Sequence, residues 1–139
     1  MIILDTNVIS ESLRPRCDAS VTAWLDAQVV ESLYITAINT AELWAGVALM
    51  PAGQRKSALE SSLAELLLRL FGNRQLDFDQ SAARAYAALV RKTSASGTPL
   101  PLGDGLIAAI ASARGFAVAT RDEAPFRAAG IVVINPWEV

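Results

Sequence analysis

Apolar and polar positions along this chain alternate between two kinds of block. Short runs, Ile2–Leu4, Ser32–Ile35, Gln75–Phe78, Phe116–Thr120 and Ile131–Ile134, read as strands, the first of them apolar throughout and buried. Between them lie longer segments whose apolar residues recur every three or four positions, as on one face of a helix. Val21, Trp24 and Leu25 predict a short first helix reaching about Gln28, after a loop over Ser12–Asp18 that contains Pro15. Thr36 is a favourable N-cap for a helix from Ala37 to about Met50, which Pro51 and Gly53 end. A third helix follows from near Arg55 to Leu70, with Leu59, Leu63, Leu66, Leu67 and Leu70 on one stripe. A fourth runs from Gln80 to about Ser94 with Tyr86, Leu89 and Val90 inward, and after a loop rich in Ser, Gly and Pro a fifth extends from Asp104 to about Ala113, with Gly115 as C-cap. Strands that alternate with helices predict an α/β architecture around a parallel sheet. No internal repeat or long linker divides the 139 residues, so one domain spanning 1–139 is expected.

Composition narrows the picture. Apolar residues make up 53% of the chain and the mean hydropathy is +0.35, yet charges break every apolar stretch well short of the roughly 18 residues of a membrane span. The segment before Asp5 lacks the basic start of a signal peptide, so a cytoplasmic protein is expected. So much apolar surface on a small chain points to a homodimer or a bound partner protein. The single cysteine, Cys17, excludes an intrachain disulfide and reads as an inert thiol.

There is no histidine. That removes serine-histidine triads, histidine-driven RNA cyclisation and the usual Cys/His zinc sites, leaving carboxylates, a metal ion, or arginine and lysine as chemical tools. A formal charge of −2 gives no bulk basic footprint for nucleic acid, although most of the twelve basic residues are arginines, which suit phosphate. No phosphate-binding glycine loop is present, and a phosphoaspartate hydrolase would need its second acid where Asn7 stands.

Three acids stand alone in uncharged stretches. Asp5 is the only charge before Glu11, Glu42 the only one between Glu31 and Arg55, and Asp104 the only one between Lys92 and Arg114. A fourth, Asp122, leaves the strand that ends at Thr120. Singly, each has an ordinary explanation. Asp5 can open a turn or cap a helix, Asp104 can be an N-cap, Glu42 can point from a wet helix edge, and Asp122 can serve a turn or an ion pair. Jointly, strand ends and helix starts place all four at one edge of a parallel sheet, where ligands bind in such folds. Four oxygen donors crowded together suit Mg²⁺ or Mn²⁺, and ions so held can activate water against a phosphodiester without histidine. Thr6, Asn7 and Thr120, at the same strand ends, are candidates to orient the carboxylates or bound water.

These residues resemble a known family. Asp5-Thr6-Asn7 after an apolar strand, Thr40-Ala41-Glu42 on a helix, Asp104-Gly105-Leu106-Ile107-Ala108-Ala109, Thr120-Arg121-Asp122 with Phe126, and the final Asn135-Pro136-Trp137 are similar to the PIN domain. More narrowly, they are similar to the VapC or FitB-like toxins of bacterial type II toxin-antitoxin pairs. The resemblance implies a three-layer α/β/α sandwich, a homodimer and Mg²⁺- or Mn²⁺-dependent endonuclease cleavage of RNA. It implies that Asp5, Asp104 and Asp122 serve the metal, with Glu42 acting directly or through water. It also implies a cognate antitoxin that puts a basic side chain into the acidic pocket and carries the complex onto promoter DNA. A departure is the apolar Pro99-Leu100-Pro101-Leu102, which stiffens the rim before Asp104. The competing reading is a non-catalytic binding module of the same fold, acting through protein or nucleic-acid contacts.

Overall fold

A computed structural model describes all residues, Met1–Val139. Five parallel strands form one sheet in the order β3-β2-β1-β4-β5, built from β1 (Ile2–Leu4), β2 (Leu33–Thr36), β3 (Gln75–Leu76), β4 (Ala117–Ala119) and β5 (Val133–Ile134). Seven helices connect them: α1 (Thr6–Ser12), α2 (Ala19–Asp26), α3 (Ala37–Ala48), α4 (Gln54–Leu66), α5 (Gln80–Ala95), α6 (Leu102–Arg114) and α7 (Glu123–Ala128). The expected α/β class and mainly parallel sheet are present.

Period-two alternation along the strands separates two cores. Ile3, Tyr34 and Val118 point to one face, where they meet Leu89 of α5, Ile107 and Ile110 of α6 and Phe126 of α7. Leu4, Leu33, Ile35 and Ala119 point to the other, against Val8 and Ile9 of α1, Val21 of α2, Leu43 and Val47 of α3 and Leu63 of α4. Each face is thus covered by helices, giving three layers. Burial on both faces explains why the central strands are uninterrupted apolar runs rather than alternating ones.

The structure differs from the sequence expectation in several places. Residues 6–12, read as a turn leading to a loop, form α1, whose N-cap is Asp5, accepting from the Thr6 N–H at 2.8 Å. Seven residues are too few turns for the apolar spacing of Val8 and Ile9 to register as helical. α6 begins at Leu102, so Asp104 lies in its first turn and does not cap it; Pro101 holds the cap position, where its fixed φ is compatible with a helix start. α7 was not anticipated, being only six residues long. α4 ends in a π-helical turn over Leu67–Phe71, where the Gly72 N–H reaches the Leu67 carbonyl, and this turn drives Phe71 into the core with no exposed surface. Val90 of α5, expected inward, is 37% exposed. α3 is not buried all round either: only Asn39, Leu43 and Val47 are inside, while Trp44 and Leu49 face solvent.

Another acid has a purely structural role. Glu11 is buried and accepts from the Asp18 N–H at 2.8 Å and from Arg14 at 3.1 Å, closing the loop between α1 and α2; these bonds hold its carboxyl below the usual range. No helix is long and apolar enough to cross a membrane.

Phe126 is fully buried and ties α7 to the sheet. Phe126→Ala is expected to destabilise the chain by about 3–5 kcal/mol, read as a lowered urea midpoint with an unchanged slope.

Candidate active site

Parallel strands deliver their C-terminal ends to one edge, and the register puts two of them level. Leu4 pairs with Ala119, and the Asp5 N–H donates to the Ala119 carbonyl at 2.9 Å. Asp5 and Thr120 therefore leave adjacent strands side by side. The Thr120 hydroxyl donates to Asp5 Oδ2 at 2.7 Å, and Asn7 Nδ2 reaches both Asp5 Oδ2 at 3.4 Å and Thr120 Oγ1 at 3.1 Å. On the other oxygen, Asp5 Oδ1 accepts from the Thr6 N–H and from Asn39 Nδ2 at 3.2 Å. A carboxylate that is only 5% exposed is thus satisfied on both oxygens by four residues from three segments of the chain.

Asn39 was not singled out from the sequence. It is fully buried in the first turn of α3, where it completes a capping box: the Thr36 hydroxyl accepts from the Asn39 N–H, and the Asn39 amide oxygen accepts from the Thr36 N–H. That leaves its amide N–H₂ pointing at Asp5 Oδ1 and at Thr6 Oγ1, 3.1 Å away. The available signal was the Thr36-x-x-Asn39 spacing, a capping box with Asn in place of the usual Glu or Gln.

The remaining acids surround Asp5. Asp104 stands in the first turn of α6, and Asp5, Asp122 and Glu42 all repel its ionised form. Burial is the larger cause, and together these push its carboxyl up to about 6. Glu42 is raised first by burial and then by Asp5, partly offset by the Thr6 hydroxyl. Asp5 itself is raised by burial and by Asp122, against the lowering effect of Thr120, Thr6 and Asn39. Asp122 occupies the capping position of α7, but its side chain makes no cap bond, and its N–H donates to Thr120 Oγ1 at 3.1 Å. Its carboxylate is left for the cleft. All seven residues proposed from the sequence, Asp5, Thr6, Asn7, Glu42, Asp104, Thr120 and Asp122, are brought to one edge of the sheet.

The cluster has no internal counter-charge. Every ion pair of the chain lies elsewhere: Arg14–Glu11, Arg69–Glu65, Arg114–Asp79 and Arg127–Glu123. Hard oxygen donors with uncompensated negative charge fit an oxygen-seeking divalent cation. As placed, no three of these acids close around a single ion. Beside the cluster a cavity of about 410 Å³ opens between α1, α3 and α4, with Thr6 and Glu42 at its acidic end, Leu43 and Leu59 among its apolar walls, and Arg14 and Arg55 on its rim. Gly46, on its α3 wall, has no heavy atom within 4 Å of where a Cβ would sit.

Two outcomes follow from this geometry. Because folding raises the Asp104 pKa from 3.8 to about 6, the stability associated with its protonated form is present below pH 4 and is lost as pH rises through about 6. In chelator, the stability difference between wild type and Asp104→Asn should shift across that window, and the carboxyl carbon of Asp104 should titrate near pH 6 by NMR. Asn39→Ala removes one donor from Asp5 and half of a capping box; it should cost about 1–2 kcal/mol in denaturation and raise the midpoint of Asp5 further.

Comparison with known proteins agrees with this geometry. The family model described as PIN domain matches residues 2–131. Three relatives align over 99% of both chains: plasmid stability protein StbB of Pseudomonas syringae pv. tomato at 54% identity, VapC ribonuclease Y4jK of Sinorhizobium fredii at 50%, and toxin FitB of Neisseria gonorrhoeae at 45%. Among solved structures, FitAcB from Neisseria gonorrhoeae superposes with a TM-score of 0.95 at 45% identity, covering all of both chains. FitAB bound to an IR36 DNA fragment gives 0.95 at 43%, covering 100% of this chain and 97% of that one. With its sheet order, its strand-end acids and a family match over nearly its whole length, the chain belongs to the PIN domain family.

Proposed function

We propose that this protein is the toxin of a type II toxin-antitoxin pair and a Mg²⁺- or Mn²⁺-dependent endoribonuclease. The observation that carries the reading is the convergence of Asp5, Glu42, Asp104 and Asp122 at one sheet edge with no basic side chain paired to any of them. Similarity to a chain named VapC ribonuclease and to one named toxin FitB supports the substrate class and the biological role.

Asp5 and Asp104 are the residues that would hold the cation, with Asp122 and Glu42 completing its surroundings through direct or water-mediated contact. A bound Mg²⁺ or Mn²⁺ supplies an activated water and relieves charge on the phosphodiester. The chain's own part is orientation. Thr120, Asn7, Thr6 and Asn39 fix both oxygens of Asp5 in one plane, so the carboxylate enters the reaction without having to find its rotamer. Gly103, in the first turn of α6, lies against Glu42: a Cβ there would sit 3.4 Å from Glu42 Oε1, an ordinary contact distance. The acids repel a phosphodiester, and a cation held by Asp5 and Asp104 would offset that repulsion.

An antitoxin partner is part of the same proposal. The cavity between α1, α3 and α4 has apolar walls and Glu42 in its lining, matching a partner segment that lays apolar side chains along it and brings a basic residue to Glu42 beside the other acids. DNA binding would reach this chain through that partner, as the DNA-bound assembly of a 43% identical chain suggests. Exposed Trp44, Leu49, Leu68 and Val132 supply surface for such a partner or for a homodimer.

The test is cleavage of pooled cellular RNA by purified protein with Mg²⁺ or Mn²⁺, alongside EDTA and Asp5→Asn. Activity that disappears in both controls, with Asp5→Asn lowering the rate by at least about 100-fold, establishes the carboxylate-metal ribonuclease. Equal activity in all three would mark a contaminant. No cleavage, together with no heat of metal binding, would overturn the nuclease reading in favour of a non-catalytic binding module.

A further inference from the structure

Arg121 is the only basic residue within the strand-end segment that carries the acids, lying between Thr120 and Asp122, yet it pairs with none of them. Its guanidinium carbon lies 4.9 Å from the centroid of the Trp137 ring. Trp137 is half-buried and packs against the core on the α1–α4 side of the sheet, and its N–H donates to Asn135 Oδ1 at 3.1 Å; Asn135 Nδ2 in turn donates to Glu123 Oε1 at 2.8 Å. The platform is therefore fixed. The Arg121 backbone is tied as well, donating its N–H to Asn7 Oδ1 at 3.3 Å, the same Asn7 whose amide nitrogen reaches Asp5 and Thr120.

At the surface an ion pair and a cation–π contact are each worth about 1 kcal/mol or less, so a fixed aromatic face can hold an arginine that has an acidic neighbour. Here the guanidinium lies over the indole face, makes no ion pair with the acids, and is exposed. A positive group kept next to, but apart from, a negative cluster matches a polyanion whose one phosphate is processed at the acids while a neighbouring phosphate needs a counter-charge. The chain has a formal charge of −2 and thus no general field to attract RNA, so this local cation matters more than it would on a basic protein.

We propose that Arg121, held on Trp137, binds a backbone phosphate of the RNA next to the scissile one and so sets the register of the strand across the acids. The assignment rests on the ribonuclease reading above. It is a substrate-binding role, separate from the chemistry at the carboxylates.

The experiment measures binding of a labelled single-stranded RNA oligonucleotide by fluorescence anisotropy in EDTA, using Asp5→Asn as the uncleaving background and a series of salt concentrations. Adding Arg121→Ala should weaken binding roughly tenfold and flatten the slope of log affinity against log salt by about 0.7, the value for one lost phosphate contact on a single strand. Arg121→Lys should keep the slope while losing part of the affinity, and Trp137→Phe should fall between. In the cleaving protein, Arg121→Ala should raise KM and leave kcat near its original value. Because Arg121 is exposed, melting temperature should not move. RNA binding whose affinity and salt slope are the same with and without Arg121 would overturn this assignment and leave the nuclease reading standing. RNA that binds none of the variants, either in EDTA or with Mg²⁺ added, would overturn both.

Discussion

The site is built around a single buried carboxylate, held in place by donors from its neighbours. Asp5 is almost fully enclosed, and burial alone drives it toward its neutral form. What counters this is a ring of donors drawn from three parts of the chain: Thr6 and Asn7 after β1, Asn39 at the start of α3, and Thr120 after β4. Those donors are in reach only because β1 lies between β2 and β4 in a parallel sheet, with its ladder in register with both. The topology, the capping of α1 and α3 and the charge state of Asp5 are therefore one constraint seen at three scales.

That economy explains why residues carry two roles at once. Asp5 caps α1 and faces the cleft, and Asn39 closes the α3 capping box with its oxygen while its nitrogen holds Asp5. Thr120 accepts from Asn7 and from the Asp122 N–H while donating to Asp5. For Asp5 the capping role and the place in the acidic cluster coincide. For Asp104 and Asp122 they separate, since neither side chain caps its helix, and the carboxylates remain unspent.

Much of this was legible from residue pattern. Apolar runs pointed to the parallel strands, isolated acids in uncharged stretches to Asp5, Glu42 and Asp104, and the end of the fourth strand to Asp122. The argument from burial was weakest at Glu42. Its apolar neighbours Trp44 and Leu49 turn out to face solvent, so the absence of charge around it reflects an uncovered helix face rather than a core. α1 and α7 were missed because six or seven residues span too few turns to show a period, and both are set by tertiary contacts of Val8, Ile9 and Phe126. For Asn39 the local pattern shows only a capping box with Asn in an unusual place; its link to Asp5, 34 residues away, has no local signature.

The two outermost strands, β3 and β5, are each two residues long. So short an edge leaves few free backbone groups on which a second chain could build a further strand, which removes the commonest route to runaway sheet extension. Contact with other molecules is thereby diverted to side chains on helix faces, where shape and charge discriminate among partners in a way that backbone pairing does not. A chain this apolar stays selective in its company because its sheet ends almost as soon as its edges begin.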